Sequence, residues 1–162
     1  MRRVAVAILM LLLASFGQAQ QQQQQQQPVS TTASTTPSAS DVRFQTVDVT
    51  VDPKDQPLAA YQLEFVADAA RVKLVGVEGG DHAAFREPPY YDPAALSRHR
   101  VILAAFSTSA DLPRSATRVA RLHVQISGDG QPEWSAKLIV ASSATSDSIP
   151  ADVRLSAEGA KP

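Results

Sequence analysis

From residue 41 onward, apolar side chains recur in short runs at every second position, and Pro, Gly, Asp and Ser interrupt them about every 8 to 12 residues. A period of two belongs to β-strands, whose successive side chains point to opposite faces of a sheet. Tyr61, Leu63, Phe65 and Ala67 alternate with Gln62, Glu64 and Asp68, which predicts a half-buried strand with one wet face. Leu122, Val124 and Ile126 alternate with Arg121, His123 and Gln125, and Trp134, Ala136, Leu138 and Val140 alternate with Ser135 and Lys137. Shorter runs at residues 72–77 and at Val153 and Leu155 extend the set. Two stretches break the simple alternation. Val42 and Phe44 share one parity while Val47, Val49 and Val51 share the other, so the first strand is expected to bulge near Gln45 or to divide in two. Residues 101–106 are apolar on both parities, with Val101, Leu103 and Ala105 on one side and Ile102, Ala104 and Phe106 on the other. That pattern predicts a central strand covered on both faces.

Helical periodicity is almost absent. The one candidate is a single turn over residues 93–97, with Asp92 as its cap and Pro93 in the first helical position. Turn chemistry at residues 52–57 and at Gly128-Asp129-Gly130 separates the runs. The expectation is an all-β domain, an antiparallel β-sandwich of about seven to nine strands.

The stretch before residue 41 has a different character. Arg2 and Arg3 precede an apolar run at residues 4–16, and Gly17-Gln18-Ala19 supplies small residues where a signal peptidase reads. The run is about 13 residues, short of the roughly 20 that a membrane span requires. Residues 1–19 therefore pattern as a bacterial Sec-type secretory signal peptide, which implies a secreted or periplasmic protein with no membrane insertion after cleavage. Residues 20–27 are a glutamine tract, and residues 28–40 are almost entirely Ser, Thr, Ala and Pro. Such segments lack the apolar surface that offsets backbone ordering entropy, so residues 20–40 are expected to be a disordered linker. It serves as a spacer, a glycosylated stalk or a neutral expansion. Residues 41–158 then form the folded domain, and residues 159–162 a tail.

Charge narrows the partners. With 15 basic and 16 acidic residues and a formal net charge of -1, the chain shows neither a nucleic-acid footprint nor a polybasic membrane patch. It has no cysteine, which excludes disulfides, thiolate metal sites and cysteine nucleophiles. The longest connection, between Val77 and Arg98, carries the candidate chemistry. Phe85, Arg86, Tyr90, Tyr91 and Asp92 lie there, and the two tyrosines behind Pro88 and Pro89 suit sugar stacking or a protein contact. The alternative is that Phe85, Tyr90 or Tyr91 plugs the end of the core. Trp134 is a further binding candidate, although its phase with Ala136 and Leu138 equally fits packing. Glu78, Asp81 and His82 are weak metal candidates, because their spacing matches neither a calcium loop nor a zinc set. No cofactor is expected. No Gly-x-Ser-x-Gly elbow or distinct carboxylate pair appears, so no catalytic residue is assigned and an enzyme is not expected.

The order of these pieces resembles a family. Val47-Asp48-Val49-Thr50-Val51, then Leu58-Ala59-Ala60-Tyr61-Gln62-Leu63-Glu64-Phe65, then Val72-Lys73-Leu74-Val75-Gly76-Val77-Glu78 is similar to the opening of cohesin domains. Val101-Ile102-Leu103-Ala104-Ala105-Phe106-Ser107 followed by Arg118-Val119-Ala120-Arg121-Leu122-His123-Val124 resembles the later cohesin strand pair, and Ile149-Pro150-Ala151-Asp152-Val153 the closing strand. The resemblance implies a jelly-roll of about nine strands, shared with some cellulose-binding modules, that acts by binding. Cohesins of cellulosomes grip calcium-loaded dockerins through one sheet face in extracellular polysaccharide degradation. The expectation is thus an exported, non-catalytic module that recognises a dockerin-like protein partner or a polysaccharide. Its rivals are a carbohydrate-binding module proper, with Tyr90, Tyr91 and Trp134 coplanar, and an envelope component assembled by strand addition.

Overall fold

The computed structural model describes residues 42–157. The expected signal peptide, linker and tail lie outside the described residues. Within them the protein is all-β: β1 (Val42–Asp52), β2 (Ala60–Ala67), β3 (Val72–Gly79), β4 (Arg100–Phe106), β5 (Thr117–Ser127), β6 (Trp134–Ser142) and β7 (Asp152–Ala157). They form a four-stranded sheet in the order β3-β5-β1-β7 and a three-stranded sheet in the order β4-β2-β6. Every pairing is antiparallel. No helix among the described residues is long and apolar enough to cross a membrane.

The period-two pattern builds the core. Val47, Val49 and Val51 of β1 and Leu122, Val124 and Ile126 of β5 point from one sheet into a single hydrophobic cluster. Tyr61, Leu63 and Phe65 of β2 and Val101 and Leu103 of β4 enter the same cluster from the other. Each fully buried aliphatic or aromatic side chain contributes about 1.5–3 kcal/mol, so this alternation is the principal stabilising term.

One polar contact crosses the core. The register of β5 against β1 slips by one residue, from Val49 opposite Ala120 to Thr50 opposite Arg118, leaving Val119 as the extra residue of a bulge. Its carbonyl accepts the Tyr61 hydroxyl at 3.0 Å from the facing sheet. A buried carbonyl left unpaired would be costly, so the aromatic that fills the core also satisfies the bulge.

The first strand differs from expectation. β1 pairs with β5 without interruption from Val42 to Val49, so there is no bulge near Gln45 and no division there. Val42 and Phe44 keep the outward parity and are exposed, at 49% and 71%. The change of apolar phase therefore marks two hydrophobic residues on the surface. Seven strands are present among the described residues, the low end of the range the pattern predicts and fewer than the nine or so that the resemblance implies. The long connection contributes one isolated bridge, Tyr90 to Ala104, in place of a further strand.

That connection closes one end of the core. Gly79 and Gly80 let two backbones approach closely: a Cβ on Gly79 would stand 1.9 Å from the Arg86 carbonyl oxygen, and one on Gly80 2.1 Å from that of Arg118. A short 3-10 turn at Ala83–Phe85, capped by the His82 side chain, then drives Phe85 inward. Phe85 is 3% exposed and meets Tyr61 edge-on, with ring centroids 5.3 Å apart. A second turn at Pro93–Ala95 is capped by Asp92, whose Oδ1 accepts the Ala94 N–H at 2.9 Å, as its sequence predicts.

Candidate functional site

The two apolar parities of β4 have different fates. Val101 and Leu103 are buried, whereas Ile102 is 39% and Phe106 80% exposed. β4 lies at the edge of the three-stranded sheet, not at its centre, and its outward side chains meet solvent. This corrects the expectation of a strand covered on both faces. The double apolar pattern marks a buried face and a hydrophobic outer face.

The registers align that outer face in rows. Phe106 stands opposite Ala60, which stands opposite Ser142. In the next row Tyr90 bridges Ala104, Ala104 pairs with Gln62, and Gln62 pairs with Val140. Ile102, Glu64 and Lys137 form the third row, and Arg100, Val66 and Ser135 the fourth. Val140 faces outward because β6 gains a residue, Ile139, where the register shifts between Gln62 and Leu63. Ile139 and Val140 are 47% and 43% exposed. The surface therefore grades from apolar at the Phe106 end to charged at the Arg100 end, where Arg100 Nε donates to Glu64 Oε1.

Two hollows flank Tyr90, which is itself 81% exposed. One, of about 390 Å³, is lined by Ala60, Gln62, Tyr90, Ala104, Phe106 and Val140 and is almost wholly apolar. The other, of about 530 Å³, includes Tyr90, Tyr91, Asp92, Arg98 and Arg100 in its wall and shares Gln62 and Ala104 with the first. Tyr90 forms the ridge between them.

The other sequence candidates are dispersed. Phe85 is in the core and takes the plugging role. Arg86 is exposed on the connection, and Asp92 is exposed at the cap of its turn. Tyr91 is half-buried against the core, as is Trp134. Trp134 lines a separate hollow with Arg71, Gln131 and Glu133, apart from the hollow that Tyr90 and Tyr91 share. Glu78, Asp81 and His82 point to three different partners. Glu78 Oε1 lies 2.9 Å from His123 Nε2, Asp81 accepts from Arg118, and His82 Nδ1 accepts the Ala84 N–H at 3.2 Å. Among the described residues no group of three or more His, Cys, Asp or Glu side chains is placed to hold a metal ion.

The outer face of the four-stranded sheet is ionic around Asp48 and carries exposed Phe44 and Val75 beside a separate hollow. Arg121 grips Asp48 through two hydrogen bonds, of 2.7 and 3.1 Å, and Arg118 reaches the same carboxylate at 3.4 Å. The Arg121 hydrogen bonds hold the Asp48 carboxyl below its usual range, the nearby positive charges add to this, and partial burial opposes it. Burial alone pushes the Tyr61 phenol far upward, so its hydroxyl remains a donor at every working pH. Sheet edges are guarded. Lys73 and a register shift protect β3, Asp152 and Arg154 protect β7, Lys137 and a shift protect β6, and the Tyr90 bridge behind Pro88 and Pro89 covers part of β4.

Sequence reasoning reached Tyr90 and missed Ile102, Phe106, Ile139 and Val140. Their signal was present in the second apolar parity of β4 and in the unbroken apolar run of residues 138–141. Compared with protein-family models, curated proteins and solved structures, the chain matches none.

Proposed function

We propose that this protein is an exported, non-catalytic, cohesin-like binding module, and that the outer face of its three-stranded sheet docks a protein partner. The observation that carries this is the strip of exposed apolar side chains made by Tyr90 of the long connection, Ile102 and Phe106 of β4 and, across β2, Val140 of β6. Contiguous exposed hydrophobic surface beside polar residues is the ordinary signature of an interaction site, whereas singly scattered residues are not. Aromatic anchors of this kind supply most of the energy in protein interfaces.

The jelly-roll reading has support in the topology. The Tyr90 bridge adds a fourth position to the three-stranded sheet, outside β4, which brings it to the width of the facing sheet. Polysaccharide is the weaker ligand, because Tyr91 is half-buried and Trp134 lies on a separate surface, so the expected platform of three rings is not formed. Strand addition is weaker still, since each sheet edge carries charge, a register shift or proline. The surface carboxylates Asp48, Glu64 and Asp81 are engaged by Arg121, Arg100 and Arg118, which favours binding over acid–base chemistry at these positions.

The test is capture from an envelope extract, run beside binding to insoluble polysaccharide with and without calcium. Wild type, Phe106→Asp and Phe44→Asp are compared, the last altering the opposite sheet. Docking through the proposed face predicts one captured protein that Phe106→Asp loses and Phe44→Asp retains. Retention on polysaccharide alone, or capture insensitive to Phe106→Asp, contradicts it.

A further inference from the structure

Tyr90 separates two hollows of unlike chemistry, and this difference specifies what the partner must present. In the first hollow the lining is Ala60, Ala104, Phe106, Val140 and the Tyr90 ring, with the Gln62 side chain at its boundary. An aliphatic or aromatic side chain is the group that such a lining recognises. The second hollow contains three charged groups with different commitments. Asp92 caps the turn through the Ala94 N–H. Arg100 is paired with Glu64. Arg98 lines the same hollow, and its guanidinium makes no hydrogen bond or ion pair to another side chain among the described residues. Its backbone is held on both sides, by its N–H on the Ala95 carbonyl at 3.1 Å and by its carbonyl on the Leu74 N–H at 2.7 Å. The guanidinium therefore stands on an anchored segment with its fork of five donors unassigned.

We infer that the partner carries an apolar side chain and a carboxylate on one element, the apolar group seated against Phe106 and the carboxylate accepting from Arg98 across the Tyr90 ridge. A guanidinium matches a carboxylate in a bidentate geometry that lysine cannot reproduce. The apolar contact supplies affinity, and the arginine fixes register and excludes partners with a cation at that place. This inference rests on the docking reading above and adds the chemistry of the partner.

The probe is a random peptide display library selected on the full chain, with counter-selection on Phe106→Asp so that only peptides using this face are retained. The expected peptides pair Asp or Glu with an aliphatic or aromatic residue. Arg98→Glu is expected to lower their affinity by about tenfold or more and to shift a repeated selection toward Lys and Arg. Arg98→Lys is expected to recover part of the loss. Peptides that need Phe106 but show no acidic enrichment, or that bind Arg98→Glu as well as wild type, overturn the carboxylate inference and leave the docking face standing. Failure to recover any peptide dependent on Phe106 overturns both. Circular dichroism of each variant verifies that lost binding is not lost folding.

Discussion

Tyr61 joins the two sheets by filling the core and by donating to the Val119 carbonyl at the β5 bulge. Replacing it with Phe keeps the ring and removes the donor, so Tyr61→Phe is expected to cost about 1–2 kcal/mol in urea denaturation. Gly80 carries a different constraint, because a Cβ there would lie 2.1 Å from the Arg118 carbonyl oxygen and 2.8 Å from the Val119 Cα. Gly80→Ala is expected to destabilise by about 3 kcal/mol, since both obstacles are backbone. Gly76 is the control: its added Cβ would meet His123 at 3.5 Å, an ordinary contact, and Gly76→Ala should change stability by less than about 0.5 kcal/mol. Asp48 gives a pH signature. Its folded-state value is depressed, chiefly by the Arg121 hydrogen bonds, so its contribution is full above the unfolded value of about 3.9 and is lost as pH falls through the folded one. Asp48→Asn should therefore cost about 1 kcal/mol at neutral pH, allowing for solvent screening, and the gap to wild type should close in strong acid. Denaturation midpoints at pH 7 and below pH 3 or so measure this directly.

Among elements, β4 shows what a hydrophobic pattern can and cannot say. The alternation in β2 and β5 identified strands and their buried parities, because a half-exposed sheet leaves a polar face to contrast with the apolar one, whereas in β6 the extra residue Ile139 turns Val140 out of the phase it shares in sequence with Trp134, Ala136 and Leu138. In β4 both parities are apolar, and the pattern is the same whether the second face lies under another layer or is reserved for a partner. Strand order decides between them, and strand order depends on long-range pairing that no local window contains. The same limit applies to β1, where Val42 and Phe44 suggested a face change that the continuous β1–β5 register excludes. The metal candidates dispersed for a similar reason: Glu78, Asp81 and His82 are close in sequence, but strand pairing brings His123 and Arg118 to the first two. Tyr90 was recognisable from its loop and its prolines; its four apolar companions came from strands read as core. The element-level prediction is that Phe106→Ser leaves the unfolding midpoint nearly unchanged, because the residue is 80% exposed, while Phe85→Ala lowers stability by about 3 kcal/mol or more. Matching urea curves for the two variants would show that the aromatic roles had been misassigned.

At the scale of the molecule, the described chain divides its labour between two sheets. The four-stranded sheet faces outward with ion pairs centred on Asp48 and a smaller apolar patch at Phe44 and Val75, and the three-stranded sheet faces outward with an apolar strip that ends at Arg98 and Arg100. Both sheets hold one core, closed at one end by Phe85 and the glycine pair before it. Ile102, Phe106 and Val140 are presented by paired strands and Tyr90 by a backbone bridge to Ala104, which lowers the entropic cost of association. The most direct test is a hydrogen-exchange footprint of the full chain with the captured partner bound. The account predicts slowed exchange over residues 100–106 and 137–141 and around Tyr90, with residues 43–46 and 73–76 unchanged; protection of the Asp48 face alone would contradict it.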